Sequence, residues 1–117
     1  MAKKKIQISL KNNNEVTKSD LSALIIDNNI KYIDNDIIVN ININNDIIIM
    51  KRENNEYQLI LEFKNKKKTT GSYLLKNNNI QFDLEILTNN LIIKDKFISI
   101  IYEINNEVKE YELKIRE

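Results

Sequence analysis

Residues 98 to 113 read ISIIYEINNEVKEYEL, two alternating runs that meet at a pair of asparagines. Before the pair, one parity carries Ile98, Ile100, Tyr102 and Ile104; after it, the matching parity carries Glu107, Lys109, Tyr111 and Leu113. A period of two is the mark of a strand with two different faces. Asparagine is the non-glycine residue that best tolerates the left-handed backbone of a two-residue hairpin loop. Folding the stretch back at Asn105 and Asn106 sets Ile104 against Glu107, Tyr102 against Lys109, Ile100 against Tyr111 and Ile98 against Leu113. Apolar pairs then share one face, with charge only near the turn. The stretch is a β-hairpin.

The same device recurs along the chain. With one glycine and no proline in 117 residues, asparagine has to make the turns. Asn-Asn pairs fall at 28–29, 44–45, 78–79, 89–90 and 105–106, between segments rich in Ile, Val, Tyr and Phe. A turn at Asn44 and Asn45 predicts Ile43 against Asp46, Ile41 against Ile48, Val39 against Met50 and Ile37 against Arg52, with Asn40 and Asn42 outside. A turn at Asn78 and Asn79 predicts Leu75 against Phe82 and Tyr73 against Leu84, with Asp83 and Glu85 outside. Tyr57, Leu59, Leu61 and Phe63 alternate inward, which makes residues 64–70 a longer connection and puts Gly71 opposite Phe63. Between Leu91 and Ile93 on one side and Ile98 and Ile100 on the other, the inward parity changes, so a bulge or turn is required near Lys94, Asp95 and Lys96. In SDLSALIIDNN, Asp20 is able to cap a short helix, but the flanking pattern and the turn at Asn28 favour a strand. About ten antiparallel strands result. No connection is long enough for a parallel crossover, so the all-β chain is expected to be a single domain over residues 1–117, a small up-and-down barrel.

Composition narrows the function. A net charge of +1, from 18 basic and 17 acidic residues, provides no global field toward nucleic acid or anionic membrane. Cysteine and histidine are both absent, which removes disulfides, thiolate chemistry, the usual transition-metal ligands and the side chain best suited to proton transfer at neutral pH. The protein is therefore expected to be no enzyme and to carry no cofactor or metal. The opening MAKKKIQISLKNNN has the basic flank of an export signal, but Gln7, Ser9 and Lys11 interrupt its apolar segment. No apolar run approaches the ~18 residues of a membrane helix. A soluble cytoplasmic protein without membrane attachment is the expectation.

The order IKYID, VNININNDIIIMKRE, LILEFKNKKKTTGSYLLKNNNIQFDLEILTNNLIIKD, ISIIYEI and a final strand resembles the bacterial YwiB-like family of unknown function, over nearly the whole chain. The resemblance is carried by Arg52 after a hydrophobic strand, Phe63 before a loop, Gly71 with Tyr73, and Thr88 ending the next strand. It implies a calycin-like (lipocalin-like) β-barrel and brings no activity with it. Such proteins often show glycine at turns, where this chain has Glu53-Asn54 and Asn78-Asn79.

Among single residues Arg52 is the most informative, because the register turns it inward beside Tyr57. A guanidinium there needs an anion, a carbonyl or an aromatic face. Its functional reading is a clamp for the anion or carboxylate of a small apolar or amphipathic ligand, with Tyr57 and Tyr73 on the inner wall. Its plain reading is a mouth residue that reaches water or packs on Tyr57. Lys64, Lys66, Lys67 and Lys68 lie beside the sole glycine, Gly71, but a phosphate loop needs several glycines and a following helix. These lysines are candidate contacts for a partner through phosphate or acidic groups. Base stacking also needs exposed aromatics, and the periodicity turns Tyr57, Phe63, Tyr73 and Phe82 inward, which argues against nucleic acid. Asp83 and Glu85 form a solvated stripe. Asp34-Asn35-Asp36 opens like a calcium loop, but Ile37 and Ile38 follow where an oxygen ligand and a glycine belong. The expected function is therefore binding of a small ligand in or at one end of the barrel, by a monomer or homodimer. The alternative is an interaction module that docks protein or RNA through its outer face or its lysine-rich hairpin.

Overall fold

A computed structural model describes residues 2–116, and among them ten strands follow one another with short connections. They are β1 (Ala2–Asn12), β2 (Glu15–Ile26), β3 (Asn29–Asp34), β4 (Ile37–Asn44), β5 (Ile47–Glu53), β6 (Tyr57–Lys64), β7 (Lys68–Leu75), β8 (Ile80–Lys94), β9 (Phe97–Ile104) and β10 (Glu107–Arg116). Each pairs antiparallel with the next and β10 returns to β1, so the meander closes into a barrel. No helix of the described residues is long and apolar enough to cross a membrane. The segment around Asp20 is strand, as its flanking pattern indicates.

The turns are asparagine turns. Asn13, Asp27, Asn35, Asn45, Asn79, Asn105 and Asn106 all hold positive φ, between 51° and 64°. The hairpin at Asn105 and Asn106 has the expected register in every pair from Ile104/Glu107 to Ile98/Leu113. Two other loops sit one residue away from the predicted position. Asp27–Asn28 replaces Asn28–Asn29, with Ile26 against Asn29, and Asn45–Asp46 replaces Asn44–Asn45. The second change sets Ile43 against Ile48, Ile41 against Met50 and Val39 against Arg52. Its physical reason is packing: Ile48, which is fully buried, meets Ile43, which would otherwise have faced Asp46. The Lys76–Asn79 connection is four residues long, so Tyr73 meets Phe82 and Gly71 meets Leu84. In both the Asn45–Asp46 and Lys76–Asn79 hairpins the partner moves by two positions, and a shift of two leaves every side chain on its original face.

Asn89–Asn90 is not a turn. Both residues lie inside β8, where Thr88 faces Tyr102 and Asn90 faces Ile101, so Asn89 is the extra residue of a bulge. The bulge exchanges the inward parity from Ile86 and Thr88 to Leu91 and Ile93. The second break, foreseen near Lys94 to Lys96, is a turn that pairs Lys94 with Phe97. Gly71 also differs from its predicted place. It lies within β7 against the Ile60 carbonyl and Leu61 rather than beside the Phe63 ring. On the outer face Ile60 meets Ser72.

Inside, Ile6, Ile8, Val39, Ile41, Ile48, Leu61, Phe63, Ile86, Ile100 and Leu113 are buried and fill most of the lumen. The lysine-rich connection after β6 is fastened to the bulge of β8. Lys66 N–H donates to the Thr88 carbonyl at 2.8 Å, Thr88 N–H to the Lys67 carbonyl at 3.1 Å, and Leu91 N–H to Asn65 Oδ1 at 2.9 Å. The Thr69 hydroxyl donates to the Glu62 carbonyl.

Candidate functional site

At the end of the barrel where β1 turns into β2, β5 into β6 and β9 into β10, the lumen is not filled. A cavity of about 240 Å³ opens there. Its floor and sides are Leu10 from β1, Met50 from β5, Leu59 and Leu61 from β6, and Tyr102 and Tyr111 from β9 and β10. Arg52, next to last in β5, enters it from the wall.

The position of Arg52 is set by the hairpin that follows. Asn54 Oδ1 accepts hydrogen bonds from the N–H groups of Glu56 at 2.8 Å and Tyr57 at 3.0 Å, and Asn54 N–H donates to the Tyr57 carbonyl. This asparagine-built turn does the work that glycine does elsewhere. It starts β6 so that Leu59 pairs with Arg52 and both face the lumen.

The charge of Arg52 reaches three phenols, two of which, Tyr102 and Tyr111, line the same cavity. Tyr32 and Tyr111 share a buried hydrogen bond of 2.8 Å between their hydroxyls, and the Tyr102 ring tilts against Phe63 at 4.8 Å. Burial raises all three phenols above their ordinary value, Tyr111 well above it, and the charge of Arg52 acts on each in the opposite direction. In the Tyr32–Tyr111 pair one hydroxyl donates and one accepts, so one O–H remains unspent. Tyr102 makes no hydrogen bond to the described residues. The polar groups of the inner cavity are thus a guanidinium, which only donates, and phenolic hydroxyls, which donate or accept, with Lys11, Asn12, Lys109 and Glu110 also on the lining.

The carboxylates nearby are engaged elsewhere. Glu110 pairs with Lys11 at 3.5 Å on the rim, and Glu107 stands 4.0 Å from Lys109. Glu53, adjacent to Arg52 in sequence but on the opposite face, accepts from Lys76 at 2.8 Å; this bond first, then the charge of Lys51, holds its carboxyl below the usual range. Asp34, whose charge also reaches Tyr32, forms no ion pair with Arg52. Among the described residues Arg52 has no ion-pair partner.

Tyr57 and Tyr73 are brought together, stacked at 5.6 Å and 8°. Neither lines the Arg52 cavity. They sit on β6 and β7 at the same end of the barrel, and Phe82 tilts against Tyr73 at 6.4 Å. Phe82 is 50% exposed, where the alternation had turned it inward, because the β7–β8 hairpin carries its inner face into solvent. Lys64, Lys66, Lys67 and Lys68 lie at the other end of β6, roughly 25 Å from Tyr57 at the usual rise per strand residue. No group of three or more potential metal-ligating side chains occurs among the described residues. Asp83 and Glu85 are exposed, and Asn35 and Asp36 form the β3–β4 turn.

Sequence parity already turned Tyr102 and Tyr111 inward; what it did not supply was the facing strand. In a closed ten-strand meander, β5 stands across the lumen from β10. Counting five strands onward from Arg52 finds Tyr111, whereas the neighbouring strands find Tyr57 and Tyr73.

In sequence, no family model and no curated protein matches the chain. In structure, the fold matches the crystal structure of the ywiB protein from Bacillus subtilis with a TM-score of 0.69, over 97% of this chain and 92% of that one, at 11% identity. The YwiB-like resemblance holds as a likeness of fold.

Proposed function

We propose that the barrel is a binding protein for a small amphipathic anion, held at one mouth with its carboxylate or equivalent group on Arg52. One observation carries this reading: an inward arginine, without an ion-pair partner among the described residues, stands at an apolar cavity with phenolic hydroxyls in its wall. A guanidinium only donates and keeps its charge, so it calls for an acceptor anion and favours a planar, bidentate one. The apolar part of the ligand packs on Leu10, Met50, Leu59 and Leu61. At about 240 Å³ the cavity falls below the ~300–1,000 Å³ of drug-sized sites, so the ligand is short. A binding rather than a catalytic role accords with the absence of histidine and cysteine, and with the pairing of Glu110 and Glu53 near the mouth with lysines. We place the protein in the cytoplasm on its composition.

Docking of RNA through the lysine hairpin has less support. The basic run and the exposed aromatic ring of Phe82 lie at opposite ends of the barrel, so they do not combine into a charged stacking groove.

The test is native mass spectrometry of the protein purified gently from its own cells, set against the same sample after denaturation. A small added mass that disappears on denaturation, and that is lost from Arg52→Ala but partly kept by Arg52→Lys, is the expected result. A bare polypeptide mass that short-chain carboxylates added in excess leave unchanged would overturn the reading.

A further inference from the structure

The wall of the barrel is not equally closed along its length. β1 pairs with β2 from Ala2/Ile25 to Asn12/Glu15, but β3 meets β2 only over Ala23–Ile26. Glu15 to Ser22 thus have β1 on one side and no described strand on the other. Which backbone groups face the open side follows from the hairpin. The closing pair of a two-residue turn, here Asn12 and Glu15, exchanges hydrogen bonds, and such pairs alternate along an antiparallel ladder. Glu15, Thr17, Ser19 and Leu21 therefore bond to β1, while the N–H and C=O groups of Val16, Lys18, Asp20 and Ser22 point into the gap. The same alternation gives Leu24 and Ile26 to β3, in agreement with the closing pair Ile26/Asn29 of the next turn.

An unpaired edge of this length is a template for another strand. Its side chains indicate which one. On the outer face Lys18 and Asp20 are two residues apart, and neither forms an ion pair with another described residue. We propose that a second copy of this chain adds its β2 to this edge, antiparallel about a two-fold axis at Ser19. That register sets Lys18 opposite the partner's Asp20 and Asp20 opposite the partner's Lys18, and it joins edge-facing groups to edge-facing groups. Sliding by one pair in either direction sets Lys18 against the partner's Lys18, or Asp20 against the partner's Asp20. Charge selects one register of the three. In that register Val16, 53% exposed on its own, arrives opposite the partner's Ser22. There the fork between β2 and β3 leaves a hollow of about 350 Å³ lined by Leu24, Tyr32 and Ile33, the last 57% exposed.

This proposal does not depend on what the mouth binds. Sedimentation equilibrium of the purified chain tests it, with circular dichroism to verify that each variant is folded. The wild type is expected to dimerise. Lys18→Asp and Asp20→Lys each oppose two pairs of like charges, and each is expected to raise the dimer dissociation constant about tenfold or more. The double variant carrying both changes restores the opposite charges and recovers the dimer, although each change alone weakens it. A monomer at millimolar concentration overturns the proposal and leaves Lys18 and Asp20 as charges that keep the edge unpaired. A dimer indifferent to the single changes overturns it as well, by placing the interface elsewhere.

Discussion

Gly71 shows how a single residue is dictated by space rather than by backbone conformation. Its φ is not in the left-handed region, yet a Cβ there would stand 2.5 Å from the Ile60 carbonyl oxygen and 3.0 Å from Ile86 Cδ1. The first is backbone of the adjacent strand and has no side-chain torsion with which to withdraw. Gly71→Ala is expected to destabilise the fold by about 1–3 kcal/mol, read as a lower midpoint in urea; an unchanged midpoint would mean that β6 and β7 separate at no cost. Arg52 presents the opposite case, a residue whose partial burial is expected to cost the fold stability. Its guanidinium is partly buried without an ion-pair partner among the described residues. Arg52→Leu is expected to raise stability by about 0.5–2 kcal/mol while abolishing retention of the ligand. Loss of both stability and ligand would make Arg52 a structural residue.

At the scale of elements, strands and their faces were legible because alternation survives local error. The Asn45–Asp46 and Lys76–Asn79 turns differ from their predicted form, yet the partners moved by two and each inward face stayed as assigned. Asn89–Asn90 reads as a turn only because it is an Asn-Asn pair between alternating segments, and the structure shows that the inward parity changes there, between Thr88 and Leu91. A bulge and a turn both supply that change, and the Asn-Asn pair does not distinguish them; the bonds from Lys66 and Thr88 that hold the bulge join segments more than twenty residues apart. Deleting Asn89 separates the two possibilities. Without the extra residue the alternation runs on unbroken, with Thr88 in, Asn90 out and Leu91 in, so every face is kept. The deletion is therefore expected to leave thermal unfolding cooperative, whereas a two-residue turn shortened to one residue cannot reverse the chain. Loss of cooperative unfolding on deletion would show that Asn89 does more than carry the change of parity. The site was half legible for a related reason: Arg52 was found from its own face, but its companions Tyr102 and Tyr111 come from strands across the lumen, a relation that only closure of the barrel creates.

For the molecule as a whole, the buried phenols set a limit on the alkaline side. Tyr32, Tyr102 and Tyr111 belong to β3, β9 and β10, and burial is the largest cause raising each above its ordinary value. Where folding raises the value of an acid, the unfolded chain loses its proton first as pH increases. The folded state then binds more protons than the unfolded one, and stability falls with rising pH. The contribution is complete below about pH 10, the unfolded value for tyrosine, and is lost from there up through the raised values of the folded state. Each phenol kept neutral in that window costs about 1.4 kcal/mol per pH unit. The chain has no histidine, the side chain whose ordinary value lies between pH 5 and 8. The urea midpoint is thus expected to fall steeply above about pH 10, with tyrosinate absorbance from these three residues appearing together with unfolding. Tyrosinate formed by all five tyrosines while the fold remains intact would show that the phenols are open to water. Arg52 adds a check of the site itself. Its charge favours the ionised form of each phenol, so Arg52→Leu is expected to move any tyrosinate formed in the folded state to higher pH, and an unmoved titration would place the guanidinium away from the three rings.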